Sequence, residues 1–502
     1  MAVSEAAVYS DYTKDKAGVF FGLSGAQLVG CLAAGVPLLA AAGRSDWAGV
    51  AAGVVVFAVG AALVAVPLWG RSAFGWAFAV CMFGVGAVAG WSMWRSRAAR
   101  GRSAEGVDMP GVLQSLEIHD GPPTGADMRR PAVVQNHAAR TWAVSAAVTH
   151  PGLALAEGQD RDFMGQGLTE LLNAAARSGV VDEVVFIVRT VPDDGQERRE
   201  YLARHTRPDA PPASRKVCDD MAGAVLRVSV RTESFVTVVV REGRLARQSR
   251  EFGGGLQGRL KSMAMVCSEI EARLRSGMRM EEVRWLTSPE LAVAVRTGFA
   301  PGDRGGIVAA AAAKRGSPVV CDEVSWPQAG PTGADSAIRH YGHDAWWSCS
   351  DTVRLPPGGT RLGALSPVML PDEDGERRCL MVAYPVVDTA TAQRKVRRAG
   401  GSLDMAEAAN EHLGRRTTAA EKMQGGRIRG LDAKIAEGYA LVRPYCLATV
   451  TVPRTTSIAE RGRRLDSAVR GSGFEPLRLD LSQDVAFAAS VLPLGVTLGG
   501  GL

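Results

Sequence analysis

The sequence predicts a membrane-anchored α/β (α+β) protein: an N-terminal transmembrane helical hairpin of two spans, or three, followed by a cytoplasmic region of two or more α/β lobes with a helical hairpin insertion. Three observations predict it. Ala17–Gly43, Trp47–Gly70 and Ser72–Trp94 contain no charged residue, and each of the first two exceeds the roughly 20 residues a helix needs to cross the hydrocarbon core. Beyond residue 102 strand-like and helix-like segments alternate to the end of the 502-residue chain, which is room for two or three units with cores of their own. The eight cysteines (Cys31, Cys81, Cys218, Cys267, Cys321, Cys349, Cys379, Cys446) are scattered, without a CxxC, as expected of free thiols in a reducing compartment.

Within the apolar region, Arg44-Ser45-Asp46 is short enough to join the first two runs as a hairpin. The third run carries Trp76, Trp91 and Trp94, residues that favour the headgroup level, so it either spans or lies in the interface. The runs are longer than the apolar core of a signal peptide, about 7–15 residues, and the N-terminus mixes acids with Lys14 and Lys16. Arg95, Arg97, Arg100 and Arg102 follow the third run with no acid among them, a short basic flank of the kind retained in the cytoplasm. Gly18 and Gly22, Gly49 and Gly53, and Gly86 and Gly90 are spaced four apart, candidates for close helix packing in lipid.

Residues 1–102 hold eight basic and four acidic side chains, so most of the net charge of +6 belongs there and the remainder is nearly neutral. Tight direct nucleic-acid binding, which draws on a basic excess, is not expected of the soluble part.

Ser103–Pro131 reads as a Gly/Pro/Asp-rich linker. After it, Trp142–Thr149 alternates like a strand, Asp162–Ser178 has helical spacing and Val181–Val188 is a buried-strand run, together a β-α-β unit. Arg198–Arg207 is a polar helix, and Val225–Val230 with Phe235–Arg241 reads as a hairpin across Arg231-Thr232-Glu233-Ser234. A helix follows Gly253–Gly258. Val283–Thr287 is a strand, and Ser288-Pro289-Glu290 starts the helix Leu291–Thr297. Asp344–Arg354 and Arg377–Val387 are further strands. Thr389–Val442 is helical, with breaks expected near Gly400-Gly401 and Gly425-Gly426, and the chain closes on strand Tyr445–Val452, helix Ser457–Arg470, strand Phe474–Leu479 and helix Gln483–Val491.

Catalytic signatures are sparse. Gly253–Ser262 is glycine-rich, but Lys261 stands three positions after Gly258 instead of one, too far to reach the phosphates of a nucleotide cradled by the loop; a helix start is the better reading. His340 and His343 are two ligands at most, and core or surface histidines are the expectation. Arg394-Lys395-Val396-Arg397-Arg398 suits phosphate or lipid headgroups, yet such runs usually form a solvated helix face.

Val19–Leu28 (VFFGLSGAQL) followed by a two-helix hairpin resembles the PrgI-type inner-membrane subunit of type IV secretion and conjugation systems. Asp182–Gly195 (DEVVFIVRTVPDDG) and Asp484–Gly495 (DVAFAASVLPLG) are similar to the long membrane proteins of actinobacterial conjugative elements, which join a PrgI-like hairpin to a region like the N-terminal, non-motor domain of the system's ATPase. The resemblance assigns a structural role to Arg189, Pro192, Asp193, Asp194, Gly195, Pro493 and Gly495. The family's ATPase has a phosphate loop and this chain has no GxxxxGK[ST], so the resemblance implies a separate motor polypeptide.

The organisation expected is therefore a tail over 1–16, a PrgI-like transmembrane region over 17–102, a linker over 103–131, and two cytoplasmic α/β regions over 132–330 and 331–502, the second with the helical hairpin. The expected function is a non-enzymatic inner-membrane scaffold of a type IV secretion or conjugative system, without cofactor. Its expected partners are the lipid bilayer, the motor ATPase, other channel subunits and further copies of itself. A type VII secretion membrane subunit and a membrane-anchored enzyme are the alternatives; against the enzyme stands the lack of any acid, His and nucleophile constellation in one loop.

Overall fold

Alternating and β-branched segments beyond residue 92 resolve into strands of one antiparallel sheet. The computed structural model describes residues 25–498 apart from 45, 66, 69–70, 103–105, 126, 153–157, 193–194, 208, 227–229, 318–322, 357–358, 373–374 and 413–418. They form two compact units: Ser92–Val387 with the residues from Val442 on, and the N-terminal helices up to Trp91 with Asp388–Leu441.

In the latter unit α1 (Gly25–Gly43) and α2 (Trp47–Ala65) pack antiparallel. Gly49 and Gly53 stand at this contact. A Cβ on Gly53 would lie 2.8 Å from the Leu38 Cα, and one on Gly49 would lie 3.1 Å from the Ala41 Cβ, so the small residues are what lets the backbones approach. A two-residue ladder, β1 (Pro67–Leu68) with β2 (Arg71–Ser72), leads to α3 (Ala73–Val88), which the Ser72 hydroxyl caps by accepting the Gly75 N–H at 3.2 Å. Gly86 and Gly90 do not form a helix-packing pair. Gly86 faces Trp91, and Gly90 lies past the end of α3 with φ +76°, reversing the chain. The run Ser72–Trp94 is thus not a single helix, and its last residues leave for the sheet. Gly18 and Gly22 lie outside the described residues. Among the described residues one helix, Trp47–Val64, is long and apolar enough to cross a membrane; Gly30–Gly43 and Gly75–Val88 are shorter apolar helices.

In the sheet-bearing unit β3 (Met93–Arg95) comes first, then a hairpin of β4 (Leu116–Asp120) and β5 (Ala132–Asn136) leads into β6 (Thr141–Thr149). Helix α4 (Gly158–Ser178) connects to β7 (Val181–Pro192). Helices α5 (Gln196–His205) and α6 (Pro212–Leu226) precede β8 (Val230–Arg241). Helices α7 (Glu242–Gln248) and α8 (Gly255–Ser276) precede β9 (Glu282–Trp285), and α9 (Ser288–Phe299), α10 (Arg304–Gly316) and α11 (Trp326–Ala329) follow. A second hairpin, β10 (Gly333–Ser336) and β11 (Tyr341–His343), leads into β12 (Trp346–Arg354). A loop with a 3-10 turn at Ser366–Met369 reaches β13 (Arg377–Val387). Helices α12 (Thr389–His412) and α13 (Ala419–Ala436) and the short β14 (Leu441–Val442) precede β15 (Tyr445–Pro453), and α14 (Ile458–Gly471), β16 (Glu475–Arg478) and α15 (Gln483–Val491) close the chain.

The main path of the sheet is β3-β10-β11-β12-β15-β13-β7-β8-β6-β5-β4, with β16 also on β12 and β9 also on β6. It contains one arrangement twice. Strands β9-β6-β8-β7 and β16-β12-β15-β13 have the same order and direction, a split β-α-β type of topology. The registers agree too. Thr141 of β6 pairs with Arg241 of β8 as Trp346 of β12 pairs with Pro453 of β15, and Ala146 pairs with Trp285 as Asp351 pairs with Arg478. Carrying the match inward places Glu183 on Arg377 and hence Ile187 on Met381, and these last two are each other's partners where β7 meets β13. An approximate two-fold axis therefore passes between Ile187 and Met381. Under it Trp142 and Ser145 match Trp347 and Ser350, Thr237 matches Thr449, and Ser288, Glu290, Ala292 and Ala294 match Ser482, Asp484, Ala486 and Ala488.

Alternation along the strands gives each face its own core. Helices α9 and α15 cover Ala143, Ile187, Phe235, Val239, Met381 and Leu447 on one face. On the other, α14 covers Cys446, Ala448, Val450 and Val452.

Several expectations change. Strands β6 and β7 are not neighbours, since β8 lies between them. The expected hairpin over 225–241 is instead the end of α6 and one long strand, because Arg231–Ser234 continues the β7 ladder, with Glu233 opposite its ion-pair partner Arg189. The expected linker 103–131 supplies β4 and the buried Met109, Leu113 and Leu116; its Pro and Gly residues mark turns, while its apolar residues face the core. Gly400-Gly401 and Gly425-Gly426 lie inside α12 and α13, as glycine is tolerated within a helix at modest cost. The two regions meeting at 330/331 are the two repeats, but they share one sheet.

Candidate functional site

Two of the stretches singled out by resemblance, 182–195 and 484–495, come together over the first repeat, while residues 19–24 of the third lie outside the described residues. Arg189, on β7, is buried. Its guanidinium donates to the Ala294 carbonyl at 3.0 Å and the Val491 carbonyl at 3.3 Å, pairs with Glu233 at 2.7 Å, and stacks on Phe235. The carbonyl of Pro493 accepts the Ser145 hydroxyl at 2.6 Å. Gly495 has φ +68°, and a Cβ there would lie 2.3 Å from that of Ala143, so both the backbone and the contact demand glycine. Pro192 ends β7 opposite Val230, and Gly195 has φ +66° at the start of α5. Asp193 and Asp194 lie outside the described residues.

The C-terminal end of α9, over the second repeat, is also held by polar groups. Arg377 donates to the carbonyls of Thr297 and Gly298 at the C-terminal end of α9, at 2.8 and 2.7 Å, and to the Thr451 hydroxyl at 3.1 Å. A cation there complements the negative end of the helix. Burial lowers its pKa to about 10, so it is still charged at neutral pH. His343 is fully buried. Its Nδ1–H donates to the Phe299 carbonyl at 2.6 Å and its Nε2 accepts the Ser348 hydroxyl at 2.8 Å. Burial and then the nearby Arg377 push its pKa down to about 3, so the ring is neutral.

Helix α9 thus ends over the second repeat, held by Arg377 and His343, while α15 ends over the first, held by Arg189 and Ser145. Each repeat's last helix crosses to the other. The matching hydroxyl pairs Ser145–Thr237 and Ser350–Thr449 each span 2.8 Å in the buried core. These groups spend their hydrogen bonds on helix ends and neighbouring strands, which suits a rigid framework.

One carboxyl stands apart. Glu183 of β7 is buried and accepts the Tyr445 phenol at 2.6 Å; burial raises its pKa to about 7, the Tyr445 hydrogen bond partly opposing the rise.

The other expected positions are dispersed. Arg95, Arg97, Arg100 and Arg102 are exposed; Arg95 lies in β3, and the Arg97 N–H donates to Asp108 at 2.6 Å. Gly253, Gly254 and Gly255 take positive φ at the start of α8, as a glycine-rich helix start requires. His340 packs edge-on against Trp347, away from any metal-like cluster among the described residues. Sequence reasoning missed Ser145, Thr237, Ser350, Thr449 and Glu183. The available signal was weak self-similarity, Trp-x-x-Ser repeated at 142–145 and 347–350.

Compared with known proteins, the chain matches no family model and no curated protein.

Proposed function

We propose that this protein is a non-enzymatic membrane scaffold of a type IV secretion or conjugative DNA-transfer system, whose sheet-bearing unit docks a separate motor ATPase. The observation that carries the membrane part is the apolar surface of the N-terminal helices. Leu32, Val36 and Leu39 on α1, Val54, Val55, Val56, Val59 and Leu63 on α2, and Phe78, Val80, Met82, Val85 and Val88 on α3 are all exposed. A contiguous surface of this kind suits acyl chains and not water. In this reading α1 and α2 are the two spans. Helix α3, with 16 residues, falls short of the roughly 20 needed to cross and lies at the interface with Trp91. Both chain ends and the sheet then face the cytoplasm, behind Arg95, Arg97, Arg100 and Arg102.

The scaffold part rests on the buried polar groups, which tie strands and helix ends together, and on the resemblance of 182–195 and 484–495 to conjugative membrane proteins. Stable interfaces bury roughly 1,200–2,000 Å² and lean on apolar anchors, so the ATPase is expected to co-purify with the detergent-extracted protein at both low and raised salt. Recovery of nucleic acid that salt strips off, with no ATPase in either sample, overturns the scaffold reading in favour of DNA binding.

A further inference from the structure

Each repeat carries a helical pair between its second and third strands: α5–α6 in the first, α12–α13 in the second. The two insertions occupy matching places in the topology but differ in charge and in company. In the first, the acids of α5 are paired: Glu200 with Arg204 of its own helix and Arg315 of α10, and Glu197 with Arg231 of β8 and Arg304 of α10. That insertion belongs to the sheet-bearing unit and packs on α10.

The second insertion belongs to the compact unit that holds the apolar helices α1–α3. Thr389–Arg398 contains Arg394, Lys395, Arg397 and Arg398 and no acid. Ala392 and Val396 are buried, while those four basic side chains are exposed, so the apolar stripe packs inward and the basic face points out. The hydrogen bonds of Arg394 run to Ala390 and Thr391 in its own turn. On α13, packed against α12, Ile428 and Ile435 are buried and Arg429 and Lys434 are exposed.

We propose that the α12–α13 hairpin is a second membrane contact, a basic face seated on the anionic lipid headgroups of the leaflet beside the apolar helices. The proposal rests on the membrane reading given above. Charge complementarity selects the partner: a cationic helix face in the same unit as a bilayer-spanning helix meets phosphate-bearing headgroups at high local density, and attraction of this kind acts within a Debye length of the surface. The insertion of the first repeat, nearly balanced in charge and placed on α10, serves as a control within the same molecule.

The test uses the full-length protein in nanodiscs of phosphatidylcholine alone and of phosphatidylcholine with phosphatidylglycerol, followed by amide hydrogen exchange. The expected result is several-fold slower exchange over 389–436 in the anionic discs, no change over 196–226, loss of the difference at high salt, and its loss in the triple variant Arg394→Glu, Arg397→Glu, Arg398→Glu. The corresponding lysine triple variant should retain it, since charge is the recognised feature. Equal exchange in both discs, with the protein incorporated, overturns this proposal and leaves the membrane reading standing. Failure to incorporate into either disc overturns both. Protection over 389–436 by a single-stranded oligonucleotide, without protection by anionic lipid, overturns it in favour of a nucleic-acid surface.

Discussion

The two halves of the sheet share strand order, register and a buried Ser–Thr pair, yet they differ at nearly every connection. In the first, α4 joins β6 to β7 and packs on α8; in the second, a loop joins β12 to β13 and α14 packs on the 3-10 turn Ser366–Met369 instead. A ladder tolerates such variation because its stability comes from cross-strand pairs and the face it buries. The matching position on the central strands also differs in sign, with Glu183 in one half and Arg377 in the other. The halves are therefore alike where strands pair and helix ends cross over, and unlike where side chains carry charge.

The comparison is broken most severely at the crossing tails. Gly495→Ala combines a close approach to Ala143 with a left-handed backbone and should cost about 4 kcal/mol. Gly302, on the tail after α9, has only the Trp346 ring within reach of an added Cβ, at 3.4 Å, so Gly302→Ala should cost less than about 1 kcal/mol. Denaturant unfolding of the detergent-extracted chain measures both, and similar costs would show that the two tails are held alike, against the difference expected here.

The charge asymmetry is sharpened by pH. Because the folded-state pKa of Glu183 is raised to about 7 from an ordinary 4.5, the stability linked to its protonated form is complete below pH 4.5 and is lost as pH rises through 7. Glu183→Gln removes that dependence. The variant should equal the parent near pH 4.5 and exceed it by about 3 kcal/mol at pH 8, as thermal melts at the two pH values would reveal. A parent whose melting point does not fall relative to the variant between these values would show that Glu183 ionises without penalty.

The smallest effect tests the shared framework. Ser145→Ala and Ser350→Ala each remove one side of a buried hydroxyl pair, and each should cost about 1–2 kcal/mol. The dyad predicts that the two losses agree within about 1 kcal/mol. A silent Ser350→Ala beside a costly Ser145→Ala would confine the hydrogen-bond framework to the first repeat.

Much of this protein was determined locally. Uncharged runs place the apolar helices α1 to α3, and Ser288-Pro289-Glu290 fixes the start of α9 through a capping box in which Thr287 and Glu290 bond each other's backbone. Strand periodicity located β6, β7, β13, β15 and β16 to within a few residues, since period-two alternation survives wherever one face is buried. What tertiary structure alone decided is pairing. Nothing local places β8 between β6 and β7, continues Arg231–Ser234 as strand, or sets Ile187 against Met381, because those outcomes depend on hydrogen bonds between residues far apart in the chain. The same holds for Arg189, Arg377 and His343. Their residue types are legible in the sequence, but their work at the ends of α9 and α15 exists only once each repeat's last helix has crossed over the other, and burial with partners is what turns an ordinary polar side chain into a fixed one.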